Sequence, residues 1–312
     1  MKLHEIFNIE FPIFQGGMAQ IATGEFAAAV SNAGAMGVIG TGAMNADMLK
    51  REIETARKLT DKPFGVNLML MNPDVEKMAK LLEEEKPALI TTGAGNPGIY
   101  IEKWKKAGIK VFPVVSSVAL ARRLEKEGID GVIAEGMESG GHIGDLTSMV
   151  LIPQIADALN IPVVAAGGIA IGRQMRAAEI LGACGVQVGT ILLASEECPI
   201  HENYKNEVIR AKDRSTVVTG MKLGIPVRCL KNAMTREYLR IEQQTDDKME
   251  LEKFTLGALR KAVEQGDVEN GSLMAGQVAA FPKEVEPLRR IFENLMSEYE
   301  ECLKKEEARD VQ

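Results

Sequence analysis

Eight short apolar runs with little polar alternation recur along the chain: Pro12–Gln15, Met36–Gly40, Phe64–Leu70, Ala88–Thr92, Lys110–Val115, Gly131–Gly136, Ile161–Ala166 and Gly185–Gly189. Strands without alternation are those covered on both faces, which is the parallel case. Segments of helix-forming composition separate them, at Thr23–Asn32, Ala46–Thr60, Pro73–Glu85, Pro97–Ala107, Val118–Glu127, Met149–Leu159 and Gly172–Leu181. Gly34, Gly108, Gly128 and Gly182 stand where helices take a left-handed stop, and Pro73 and Pro97 stand at first helical positions. Eight strands spaced by roughly 20–30 residues predict a (β/α)8 TIM barrel over the rival doubly wound sheet.

The pattern changes after Thr190. From Ala194 to Asn270 no clear strand series is visible, and the segment is polar and predicted helical. It reads as a small, mostly helical substrate or cap domain (194–270) inserted into a barrel formed by 1–193 and 271–312. The closing helix is predicted over Lys283–Lys304, where Val285, Leu288, Phe292, Leu295, Tyr299 and Cys302 share one face.

Composition narrows the function classes. With 312 residues, 46% of them hydrophobic, the chain can bury one large α/β core, and a net charge of −7 argues against a general nucleic-acid binder. Cys184, Cys198, Cys229 and Cys302 show no CxxC and no metal-ligand spacing, which suits a reducing compartment. The first residues, MKLHEIFNIEFPIF, lack a signal-peptide core, and no window approaches the roughly 20 apolar residues of a membrane span. A cytoplasmic protein without a membrane partner is expected.

Candidate chemistry collects where barrels of this kind carry it, at the C-terminal ends of the strands. Glycine clusters follow six of the eight: Gln15-Gly16-Gly17-Met18, Gly40-Thr41-Gly42, Gly93-Ala94-Gly95, Gly140-Gly141-His142, Gly167-Gly168-Ile169 and Gly189-Thr190. The last two loops are the usual phosphate site, so Gly167, Gly168, Gly189 and Thr190 are candidates to offer backbone donors and one hydroxyl. Met137–Asp145, MESGGHIGD, places His142 in a glycine-rich loop that lets a flat ligand such as a flavin approach the backbone. His4 and His201 lack such context and read as surface residues. Gly93–Gly98 matches GxGxxG, but the next strand ends in Val114-Val115-Ser116-Ser117 without the acid that a dinucleotide site needs.

With these motifs placed, the sequence resembles the FMN-dependent enoyl-acyl-carrier-protein reductases of the second type, FabK, over essentially its whole length. The segments that carry the resemblance are PIFQGGM (12–18), DKPFGVN (61–67), TTGAGNP (91–97), VIAEGMESGGHIG (132–144), VVAAGGIA (163–170), VQVGT (186–190) and GSLMAGQ (271–277). Several are shared with nitronate monooxygenases, which have the same barrel and flavin; TTGAGNP and GSLMAGQ favour the reductase. The resemblance implies an FMN enzyme of bacterial fatty-acid synthesis that uses NADH or NADPH and often a monovalent cation (K+ or NH4+). It also implies an acyl carrier protein as partner and a homodimer.

Carried over residue by residue, it implies flavin contacts at Gly16, Gly17, Met18, Asn67, Thr92, Glu135, Gly140, Gly141, Gly167, Gly168, Gln187, Gly189 and Thr190. His142 would be the catalytic histidine, with Ser272 and Gln277 near the substrate. The basic stretch Lys205, Arg210, Lys212, Arg214, Lys222, Arg228, Lys231 and Arg236 is a candidate dock for an acidic carrier, with a plain solvated face as the alternative. An inosine-monophosphate-type dehydrogenase would need a nucleophilic cysteine on an active-site loop, and Cys184 precedes the eighth strand at the opposite barrel end. A non-catalytic flavin or phosphate binder is a further alternative.

Overall fold

The computed structural model of the chain describes residues 1–310. In chain order its strands are β1 (Ile13–Gln15), β2 (Gly37–Gly40), β3 (Phe64–Met69), β4 (Leu89–Gly93), β5 (Lys110–Val115), β6 (Val132–Glu135), β7 (Gly141–His142), β8 (Val163–Ala166), β9 (Gly185–Val188), β10 (Thr216–Thr219) and β11 (Val227–Leu230). Eight of them pair in the order β1-β9-β8-β6-β5-β4-β3-β2, all in parallel. A parallel bridge between Phe14 and Met36 brings β2 back beside β1. The Gln15 N–H donates to Met36 O and the Met36 N–H to Ile13 O, each at 2.9 Å, so the barrel closes.

Because side chains alternate across a strand, the two hydrophobic clusters separate by parity. Ile13, Ile39, Val66, Ile90, Val111, Val132, Val163 and Val186 face the helices and join the larger cluster. Phe14, Val38, Leu89, Phe112, Ile133 and Val164 face inward and fill the barrel together with Leu3 and Phe7 of the N-terminal helix Leu3–Phe7. Phe7 meets Phe14 and Phe112 edge-on, with ring centroids 5.2 Å and 5.5 Å apart. The Leu3 N–H donates to Cys184 O just ahead of β9, which places this plug at the strands' N-terminal end. Only the opposite end is left for a site.

The expected barrel strands agree with the observed ones to within a residue or two. Two elements outside the strand-end loops differ. The segment after Thr190 is helical at Glu202–Arg210, Ala233–Glu242, Lys248–Thr255 and Ala258–Gln265, yet it also contains the antiparallel hairpin β10–β11. The closing helix begins at Leu288 rather than Lys283, directly after Pro287, and Val285 lies outside it with 41% of its surface exposed. Proline tolerates only the start of a helix, which sets the boundary. Leu288, Phe292, Leu295 and Tyr299 form the buried face as expected.

Candidate functional site

The inward parity that carries phenylalanine and leucine at the plugged end carries polar groups at the open one. Asn67, Thr91, Glu135 and Gln187 occupy inward positions near the C-terminal ends of β3, β4, β6 and β9. Asn67 Nδ2 donates to Thr91 Oγ1 at 2.9 Å. Gly17 lies flat on Asn67, since a Cβ there would come within 2.2 Å of Asn67 Cβ. The Gly16 N–H donates to Val188 O at 2.8 Å, and Met18 Sδ lies 3.5 Å from where a Gly189 Cβ would stand. The loops after β1 and β9 therefore meet the C-terminal part of β3 at one mouth.

The loops after β6 and β8 complete it. Gly167 and Gly168 hold positive φ values of +87° and +77°, and a Cβ on Gly167 would come within 2.7 Å of Gly136 O. Left-handed backbone and this close approach both require glycine. Thr190 opens the short 3-10 helix Thr190–Ala194, so its own N–H is not used by that helix. Its Oγ1 accepts from the Gly276 N–H at 2.9 Å, which leaves the hydroxyl proton free to donate outward.

The stretch Met137–Asp145, expected as an open loop, is partly a strand. Gly141 and His142 form β7, which pairs antiparallel with β11 in the register His142–Val227 and Gly141–Arg228. The Ile143 N–H donates to Pro226 O at 3.2 Å, and the Gln277 N–H to Glu138 O at 2.9 Å. The Glu138 carboxylate accepts from the Ser148 N–H at 2.9 Å and 3.0 Å, while Ser148 Oγ donates to Gly167 O at 2.8 Å. His142 is thus held by the hairpin, by residues 274–277 and by the helix Ser148–Ala158.

Electrostatics distinguish two groups. Glu135 keeps some accessible surface, but protein encloses its carboxyl and burial pushes it up to about 7, with the Ser139 hydroxyl pulling the other way. His142 is exposed by surface area, yet its surroundings are dense enough that burial lowers it from its ordinary 6.5. Burial thus favours the neutral imidazole.

Whether a flavin mononucleotide fits is answered by the donor set. Backbone N–H groups at glycines with no side chain in the way, plus the Thr190 hydroxyl, suit a phosphate. Ser139 Oγ is buried beside the Glu135 carboxyl, without a well-formed hydrogen bond to any described residue. That pair suits a polyhydroxyl chain, and Asn67 and Gln187 suit the polar edge of a ring. The residues fit.

Not every candidate stands at the mouth. Thr92 falls on the outward parity of β4 with its hydroxyl buried and unpaired, so Thr91 is the threonine turned into the barrel. Ser272 is buried, with its Oγ 3.3 Å from Cys229 Sγ, and the Gln277 side chain is exposed. Of the basic stretch, Arg228 is 4% exposed and belongs to the interior, not to a docking face. Lys205 reaches Ser195 O and Glu196 O, Lys231 reaches Arg214 O, and Lys222 pairs with Asp246. Arg210, Lys212, Arg214 and Arg236 are the exposed cations with the fewest internal ties. Thr91 and Ser139 are not marked by the sequence as site residues, and Arg228 only as part of the basic stretch; in the GxGxxG loop Ala94 takes φ +58°.

Comparison with known proteins agrees with this geometry. The family model of nitronate monooxygenase matches residues 1–86 and 71–298. A probable nitronate monooxygenase of Staphylococcus saprophyticus is 33% identical, covering 87% of this chain and 90% of that one. FabK from Thermotoga maritima superposes with a TM-score of 0.95 at 47% identity, covering 98% of both chains. A nitroalkane oxidase from Streptomyces ansochromogenes superposes with a TM-score of 0.87 at 27% identity, covering 98% of this chain and 99% of that one.

Proposed function

Starting from a chain that belongs to the nitronate monooxygenase family of FMN-dependent oxidoreductases, we propose that it is an enoyl-acyl-carrier-protein reductase. One observation carries this reading: 47% identity to a FabK across 98% of both chains, against 27% to the nitroalkane oxidase. In this reading Gly167, Gly168, Gly189 and Thr190 hold the FMN phosphate and Glu135 with Ser139 the ribityl chain. Gly16, Gly17, Met18, Asn67, Gln187, Gly140 and Gly141 frame the ring. Bound there, FMN supplies hydride transfer from NADH or NADPH to the β-carbon of a trans-2-enoyl thioester.

The chain's own residues supply the remainder. A hydride at the β-carbon leaves negative charge on the α-carbon and the thioester oxygen, and His142 donates the proton that completes the two-electron reduction. Hairpin β10–β11 and the helices of 194–270 act as a cap on the barrel of 1–193 and 271–312. The enzyme acts in the cytoplasm as a homodimer on substrate carried by an acyl carrier protein, and a monovalent cation supports it.

A second reading has its own support, because the curated relatives carry the name nitronate monooxygenase. A mainly neutral His142 would serve that chemistry as a base. The test is anaerobic oxidation of NADH or NADPH with crotonyl-coenzyme A. Turnover supports the reductase, whereas no turnover together with oxygen-dependent consumption of an alkyl nitronate overturns it.

A further inference from the structure

We propose that Arg228 is a positioning residue for His142, acting through the main-chain carbonyl of Met137. The inference rests on the reading of His142 as proton donor. Arg228 lies on β11 directly opposite Gly141, one residue from the partner of His142. Its guanidinium donates twice to Met137 O, from Nη2 at 2.9 Å and Nε at 3.2 Å, and Nη1 donates to Thr216 Oγ1 on β10 at 3.3 Å. One planar group thus joins the exit of β6, the loop that carries His142 and both strands of the hairpin.

The location is costly. The residue is 4% exposed, and among the described residues no carboxylate lies within ion-pair distance of it. The acid whose field it feels, Glu138, spends its carboxylate on Ser148. A buried cation with incomplete compensation is a liability unless something depends on its geometry. What depends on it here is a loop with glycine at 136, 140, 141 and 144, whose backbone has little intrinsic preference for one path. The other ties to the hairpin and to residues 274–277 are main-chain bonds that form wherever the ladder does. Arg228 adds the side-chain constraint, and its fork fixes the carbonyl in two directions.

A displaced catalytic group loses rate steeply, on the order of 100-fold for about 1 Å. The test is stopped-flow on holoenzyme, with flavin reduction by NADH or NADPH measured separately from reoxidation by crotonyl-coenzyme A. Arg228→Met is expected to keep its flavin and to be reduced within about 2-fold of the parent rate, but to reoxidise at least about 10-fold more slowly. Arg228→Lys, which keeps charge and one donor, should recover part of that loss, and Thr216→Val should show a smaller one. These two milder variants carry the test if Arg228→Met does not fold. Reoxidation at the parent rate overturns the proposal, and so does a parallel fall of both half-reactions with loss of flavin. His142→Ala run alongside separates the failures. If it reoxidises normally, the reading of His142 fails and takes this proposal with it; if it is slow while the Arg228 variants are fast, only this proposal fails.

Discussion

His142 sits in a two-residue strand whose surroundings hold its imidazole below the ordinary 6.5, so the proton-donating form is the minority species at neutral pH. If that form protonates the product, kcat/KM for enoyl reduction bends below pH 6.5 and falls about tenfold per pH unit above the bend. His142→Ala should retain flavin, lose roughly 100-fold in enoyl reduction and lose the bend as well; steady-state profiles of both proteins between pH 5.5 and 8 check this. Glu135 has the opposite sign. Its carboxyl is raised from 4.5 to about 7, so its contribution to stability is full below pH 4.5 and is lost as the pH rises through about 7. Glu135→Gln in flavin-free protein should therefore raise Tm at pH 8 and change it little at pH 4.5, as thermal melts at the two pH values would report. At this scale the sequence disclosed the site unevenly. His142 and the glycines stand out as candidates by type, because six glycine clusters on one face are more than turns alone require. Thr91 and Thr92 are indistinguishable until strand parity is known, and fully buried strands offer no alternation from which to read it.

Hairpin β10–β11 carries more consequence than its eight residues suggest, since it turns part of a glycine loop into β7. Its own signal was present: Thr216–Thr219 reads TVVT, a β-branched run that ends at Gly220. Arg228 concealed the second strand, because an arginine among other basic residues reads as surface, and only tertiary pairing buries it. The closing helix was legible in its face but not in its start, which Pro287 moved. Gly220 tests the element. At φ +77°, with a Cβ that would approach Ile225 O to 2.2 Å, it permits the turn. Gly220→Val should destabilise the protein by at least about 1 kcal/mol in chemical denaturation. It should also slow enoyl reduction more than it weakens flavin retention.

The whole molecule places an apolar plug at one barrel end and polar, glycine-edged loops at the other, so that one face can take a ligand. The eight evenly spaced apolar runs predict the barrel and the face that bears the glycine loops, but not the plug formed by the helix Leu3–Phe7. The segment after Thr190 was legible only as helical, because the pairing of β11 with β7 joins residues far apart in sequence. No helix among the described residues is long and apolar enough to cross a membrane. Against a net charge of −7, Arg210, Lys212, Arg214 and Arg236 are all exposed cations of the segment after Thr190. Reversing Arg210 and Arg214 to Glu should raise KM for a carrier-protein-bound enoyl substrate by about 10-fold at low salt and leave the coenzyme A thioester unchanged. The most direct test of the central claim compares reoxidation of the NADH- or NADPH-reduced holoenzyme by crotonyl-coenzyme A without oxygen and by an alkyl nitronate with oxygen. Fast reoxidation by the enoyl thioester is expected. Reduced enzyme that ignores the thioester, together with oxygen-dependent consumption of the nitronate, would contradict it.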